Sequence, residues 1–336
     1  MRTIALAEQD RVIYESEIRP YLPERLFDAH THLLFDACHP RLGDLLPLTH
    51  DPMLSNVDFG YLRTWWAALF PGLEVNGLVM GFPTEGCDWR GENELVARQV
   101  HGSASQFSML VHPETPADAL EADVLRLSPA GLKPYMTFVR GKSSDDIAIT
   151  DIIPEAQLEI ADRHGLAVTL HVARARGMAD PGNLDDIQRL VRQFPRCQFI
   201  LAHCGRCFIA PNMEAALDRL PVAENLWLDT SAVCDLGVFI PLLQRYDPSR
   251  LLFGTDLVTA TAFRGAYVRL GLSWHVCTPD MVAGLPPRAT FAAYENLAAL
   301  CRAARFCSWD PPQLRGIFYD NSARLFDLGP GSDRSL

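Results

Sequence analysis

Short apolar runs rich in strand-forming residues recur along the chain, and each ends in polar residues. They are RLFDAHTHL at 25–33, VNGLVMGFP from Val75, QFSMLVHPE from Gln106 and GLKPYM from Gly131. AVTLHV from Ala167, QFILAHCG from Gln198, LWLDTSAV from Leu226 and LLFGTDL from Leu251 follow. Near-continuous apolar runs suit strands buried on both faces, as in a parallel sheet. Between them the apolar spacing predicts helices over Glu92–His101, Pro116–Leu127, Asp151–His164, Asn183–Phe194, Asn212–Leu220 and Leu236–Tyr246. Gly165 and Pro195 act as stop signals for two of these. Eight strands alternating with helices predict an α/β fold of the (β/α)8 TIM-barrel type.

Three segments fall outside the alternation. Residues 1–24 read as an N-terminal extension. Residues 36–73, with Trp65, Trp66 and Phe70, form an insertion after strand 1 that could serve as a lid or helical cap. Residues 260–336 read as a largely helical C-terminal part, with Asn321 as a candidate cap of the final helix. No repeat or linker divides the chain, so residues 1–336 are expected to form a single barrel domain. A dinucleotide-binding alternative lacks support: no G-x-G-x-x-G follows the first strand, and no phosphate-binding G-x-x-x-x-G-K-[ST] occurs.

Composition narrows the class further. The 336 residues are 48% hydrophobic and 21% charged, and no run approaches 18 uninterrupted apolar residues. The first 20 residues mix charges throughout and lack the apolar core of a signal peptide. With 30 Lys and Arg against 41 Asp and Glu the net charge is −11, which argues against nucleic acid as the main partner. Nine scattered cysteines, an odd number without a secretion signal, read as reduced thiols of a cytoplasmic protein. Cys204-Gly-Arg-Cys207 spells CxxC but has no second pair to complete a zinc site.

The chemistry collects at the carboxyl ends of the predicted strands, which in a β/α barrel form the catalytic rim. Strand 1 ends in His30-Thr-His32, strand 4 in Lys133, strand 5 in His171, strand 6 in His203 and strand 8 in Asp256. His30 and His32 are two apart and share one strand face, with Asp28 expected beneath them on that face. Imidazole nitrogens and a carboxylate suit Zn²⁺, Mn²⁺ or Fe²⁺. Packing alone would rarely produce that ordered set. Arg174, Arg176 and Arg206 follow the histidines of strands 5 and 6, and Arg140 follows Tyr135. Guanidinium groups grip carboxylates in a bidentate fork, so an anionic small-molecule substrate is expected, with Arg174, Arg206 and Tyr135 as its contacts. The plainer alternative pairs each arginine with a loop carboxylate such as Asp180 or Asp185. Asp229 in WLDTS is a candidate to orient a ligand. Ser231 lacks a G-x-S-x-G setting for a serine hydrolase. His39, His50, His101, His164 and His275 read as structural, and His112 as a possible pocket residue.

FDAHTHL, GLKPY, TLHV, LAHCG, LLFGTDL and FYDNSARLF together resemble the amidohydrolase superfamily, in its amidohydrolase-related (amidohydrolase 2) branch. That branch contains metal-dependent hydrolases and decarboxylases. The resemblance covers roughly residues 25–328 and implies a distorted barrel with a divalent metal, zinc in the first place and manganese or iron otherwise. It implies His30, His32, His171 and Asp256 as ligands of one ion, with His203 close to the water that this ion activates. His203 or Asp256 would then take the proton. A two-ion arrangement stays open, in which Lys133 is carboxylated and bridges, with His171 and His203 on the second ion. Otherwise Lys133 pairs with a substrate carboxylate. The expected activity is hydrolysis of an amide, ester or lactone of a small carboxylated molecule. A non-oxidative decarboxylase or hydratase is the alternative, and a non-catalytic binding protein a third. Family habit suggests a homo-oligomer, a dimer or a larger assembly.

Overall fold

The computed structural model describes residues 4–40, 55–281 and 289–329. Eight parallel strands pair in chain order: β1 (Arg25–Leu33), β2 (Glu74–Gly81), β3 (Gln106–Val111), β4 (Gly131–Pro134), β5 (Ala167–Leu170), β6 (Gln198–Leu201), β7 (Leu226–Asp229) and β8 (Leu251–Leu252). The ring closes just beyond β8, where Ala29 N donates to Phe253 O at 2.8 Å and Asp256 N to His30 O at 2.8 Å. Helices alternate with the strands, so the chain is a (β/α)8 barrel. The short strands β4, β5 and β7 are buried at every residue, the burial that their unbroken apolar runs require. No helix among the described residues is long and apolar enough to cross a membrane.

The helix expected over Asp151–His164 is two helices, Ile149–Ile152 and Glu155–His164. Pro154 separates them. A residue before proline is pushed out of the helical region, and Ile153 is extended at φ −140°, ψ 105°. Trp65 and Trp66 lie on the helix Phe59–Leu69, which takes the outer-ring position between β1 and β2. Both indoles are buried there. The rest of the candidate lid, 41–54, falls outside the described residues, as does His50.

β1 carries a bulge. Asp28 pairs with Gly77 and Thr31 with Val79, so Ala29 and His30 together face the single residue Leu78. The surplus residue reverses the alternation of faces. Below it Phe27 and Ala29 join Leu78, Met80, Ile200, Trp227 and Leu252 in the barrel interior. Above it His30 and His32 turn inward instead. Asp28 is therefore not beneath the histidines on their face, as simple alternation predicts. It points to the outer layer, where its carboxylate accepts from Trp66 Nε1 at 3.0 Å, Thr255 Oγ1 at 2.5 Å and Thr255 N at 2.8 Å.

The C-terminal part is not mainly helical at its start. Residues 266–277 form an antiparallel hairpin of β9 (Ala266–Leu270) and β10 (Ser273–Cys277). Gly271, at φ 64°, supplies the left-handed turn residue that a two-residue hairpin loop needs. The helix Ala292–Phe306 follows, and the segment 311–328 seals the amino end of the barrel with Tyr319, Phe326 and Leu328. Asn321 does not cap the last helix, since it already lies inside it. Its side-chain amide donates to Pro248 O at 2.8 Å and Leu251 O at 2.7 Å, fastening the seal to β8.

Candidate active site

Four of the strand-end residues converge with Lys133 at the carboxyl end of the barrel. His30 Nε2 stands 3.2 Å from His32 Nε2 and 3.0 Å from Lys133 Nζ. Asp256 Oδ1 lies 3.4 Å from His32 Nε2 and 3.7 Å from His30 Nε2, and Asp256 Oδ2 lies 3.8 Å from His203 Nε2. All five side chains are buried. The His171 ring is farther out, 5.2 Å from that of His203 and 4.6 Å from that of Tyr135. Its buried Nδ1 has no hydrogen-bond partner.

The opposite edge of each inner imidazole is engaged by an acceptor. His30 Nδ1 donates to Asp229 Oδ2 at 2.9 Å, His32 Nδ1 to Gly81 O at 2.8 Å and His203 Nδ1 to Ser231 Oγ at 2.8 Å. Ser231 Oγ in turn donates to Asp229 Oδ1 at 2.5 Å, and the amides of His203 and Ser231 reach the same oxygen at 3.0 and 3.1 Å. Protons fixed on Nδ1 leave the Nε2 lone pairs facing inward. Two such lone pairs 3.2 Å apart repel unless a cation lies between them. One ligating atom each from His30, His32 and Asp256 falls within a 4.8 Å group, so the donor set fits a divalent ion.

Electrostatics agree. Burial pushes His30, His32 and His171 below the ordinary imidazole range and His203 down to about 4, so these rings are neutral at pH 7. Burial alone would raise Asp256, but the imidazoles of His203, His30 and His32 outweigh it and bring the carboxyl down to about 2. Asp229 is held low in the same way by His30 and Ser231. Burial lowers the Lys133 ammonium to about 8, against the pull of Asp256 and Asp229. Its hydrogen bond uses the same His30 lone pair that an ion would take, so ion and ammonium compete for one electron pair.

His203 is aimed by an unusual backbone. His203, Cys204, Gly205 and Arg206 are all left-handed, at φ 56°, 51°, 64° and 58°. Left-handed geometry costs on the order of 1–2 kcal/mol per non-glycine residue, and a run of it persists only where the surroundings impose it. Here the Asp229 carboxylate clamps the His203 amide, and Arg206 closes the turn by donating through one guanidinium nitrogen to Val172 O at 2.9 Å. Arg206 is half-buried beside Tyr135 and His171, has no carboxylate within ion-pair distance among the described residues, and leaves Nε without a partner. Arg174 is arranged differently: it pairs with Asp180 Oδ1 at 2.8 Å. Asp180 caps the helix Pro181–Gln193, and Arg176 is exposed.

The β9–β10 hairpin adds a wall that the spacing of residues did not announce. Tyr267 and Trp274 pack on Phe208 with ring centres 5.3 and 4.4 Å away, and Phe208 stacks on His203 at 5.8 Å. Phe82 meets His32 edge-on at 5.3 Å. His112 stands between Trp89 and Phe138, at 6.3 and 5.2 Å.

No curated protein sequence matches the chain. Among solved structures it is similar to a 5-carboxyvanillate decarboxylase from Sphingomonas paucimobilis, at 15% identity and a TM-score of 0.53 over 91% of this chain and 100% of that one. It is similar to a 4-oxalomesaconate hydratase from Rhodopseudomonas palustris, at 16% and 0.54 over 90% and 96%. A dihydroxybenzoic acid decarboxylase from Polaromonas sp., with bound manganese and the inhibitor 2-nitroresorcinol, gives 16% and 0.55 over 94% and 100%. At these identities the likeness shows the fold. The profile described as "Amidohydrolase" matches residues 84–328, from just after β2 to the barrel seal. That match spans well over half of the sequence, and the chain belongs to the amidohydrolase family, as an enzyme of that superfamily.

Proposed function

We propose that this protein is a metal-dependent hydrolase acting on an amide, ester or lactone of a small carboxylated molecule. The observation that carries the reading is the pair His203 Nε2 and Asp256 Oδ2, 3.8 Å apart beside the inward Nε2 atoms of His30 and His32. A divalent ion, zinc or manganese, held by His30, His32 and Asp256 with His171 nearby would polarise the substrate and lower the pKa of water. His203 is neutral, its Nδ1 proton is committed to Ser231, and its free Nε2 can accept a proton from water and return it to the leaving group. Asp256 holds negative charge next to that proton. Arg206, a half-buried cation without a carboxylate partner among the described residues, would receive the substrate carboxylate beside Tyr135. The aromatic wall of Phe208, Tyr267 and Trp274 would limit water at that side.

A second reading, a decarboxylase on the same ligands, is favoured by the decarboxylases among the similar solved structures. Metal-stripped protein reloaded with Zn²⁺ or Mn²⁺ is to be assayed on carboxylated amides, esters and lactones and on aromatic carboxylic acids, in ¹⁸O-water with CO₂ detection. Label in the organic product without CO₂ supports hydrolysis, and CO₂ release with no label in the organic product supports the lyase. Full activity in both His30→Ala and Asp256→Ala would overturn both.

A further inference from the structure

A second group of metal-ligand side chains lies outside the barrel mouth. His39 follows the short turn Asp36–Cys38 after β1. Cys87 belongs to the turn after β2, and Glu92 to the first part of the helix Trp89–Val100. Asp88 N donates to Cys38 O at 2.8 Å, which holds the two loops together. One ligating atom each from His39, Cys87 and Glu92 lies within 4.8 Å of the others, and all three residues are buried.

The chemistry of the three is complementary. His39 Nε2 stands 2.9 Å from Glu92 Oε2, and His39 Nδ1 stands 2.7 Å from Thr84 Oγ1. Thr84 is thus the outer partner that fixes the ring and leaves Nε2 to face the carboxylate. The other Glu92 oxygen accepts from Phe82 N at 3.4 Å. Imidazole nitrogen, thiolate sulphur and carboxylate oxygen are each ligands that zinc takes, together a mixed set of borderline softness. The Glu92 carboxylate is buried with His39 as its ion-pair partner, and a cation here would add a second counter-charge and draw the Cys87 thiolate in as a ligand. Glu85 and Gly86, in the turn just before Cys87, are exposed.

We infer that His39, Cys87 and Glu92 form a second, structural divalent-cation site of the zinc type. It is independent of the reaction assigned to the barrel mouth. Its place in the fold gives it a task. The Glu92 side chain packs within 2.9 Å of where a Cβ on Gly81 would be, and Gly81 O is the acceptor that orients His32. An ion here would brace the strand end that holds a catalytic-site histidine.

Among the described residues the candidate ligands at the mouth include no sulphur, which makes the two sites spectroscopically separable. Metal-stripped full-length protein is to be titrated with Co²⁺. A near-ultraviolet sulphur-to-cobalt charge-transfer band is expected in wild type and in Asp256→Asn. The band is lost in Cys87→Ser, with cobalt content falling by one ion per chain, and Glu92→Gln weakens the cobalt affinity behind it at least tenfold. Far-UV circular dichroism checks that each variant is folded. A wild-type protein that binds cobalt without such a band, or a band unchanged in Cys87→Ser, overturns the inference.

Discussion

Asp229 accepts the Nδ1 proton of His30 at 2.9 Å across 199 residues of chain, and through Ser231 it also secures His203. One carboxylate therefore sets the tautomer of two rings that face the same point. Asp229→Asn can keep the contact with His30 only by presenting its amide oxygen, and it surrenders the negative charge. Metal affinity is expected to fall about 10–100-fold, as for other outer partners of metal-bound histidines. Competition with a chelator measures it.

Lys133 gives a pH signature in the metal-free protein. Its ammonium sits at about 8 in the fold against an ordinary 10.5, because burial disfavours the charge. Between those values the unfolded chain binds more protons, so stability rises with pH, and below about 8 that gain is absent. Wild type is expected to gain roughly 3 kcal/mol relative to Lys133→Met from pH 8 to 10.5. Parallel denaturant titrations of the two proteins read the difference directly.

Arg206→Met removes the half-buried cation that has no carboxylate partner among the described residues, while keeping most of its bulk. For a carboxylated substrate, KM is expected to rise 10–100-fold or more, with a smaller loss in kcat, since the group binds rather than reacts. Steady-state kinetics on a substrate and its uncharged amide or ester analogue check this. The analogue should be affected little.

Gly205 tests the left-handed turn. A Cβ there would meet Met178 Sδ at 2.5 Å in addition to the positive φ. Gly205→Ala is expected to lower stability by about 1–3 kcal/mol, and Met178→Ala in the same chain to relieve the contact but not the backbone strain. Thermal or denaturant unfolding of the single and double variants separates the two contributions.

The eight strands were legible because each is a local event: a few buried residues ending in something polar. The chemical identities at their ends were legible for the same reason, from His30-Thr-His32 to Asp256. What stayed hidden depends on contacts between distant parts of the chain. The link from Asp229 to Ser231 and His203 exists only once β6 and β7 lie side by side. The left-handed run at His203–Arg206 contains a single glycine, so its sequence announces no such turn. The hairpin did leave a trace, Gly271 between stretches of Val, Tyr and Trp, but neighbouring helical spacing masked it. Arg174 and Arg206 look equivalent in the string, three residues after a histidine each. The fold gives one an aspartate and leaves the other unpaired.

The bulge in β1 means that histidine identity alone does not make a metal site here. A strand normally keeps one set of side chains on one side from end to end. In this one, Phe27 and Ala29 plug the base while His30 and His32 serve the opening above, and the switch depends on a single extra position between Asp28 and Thr31. Both imidazoles could be present, in order and correctly spaced, and still face the surrounding helices if the chain were one residue shorter at that point. Catalytic competence in this barrel is thus a matter of counting as well as of chemistry.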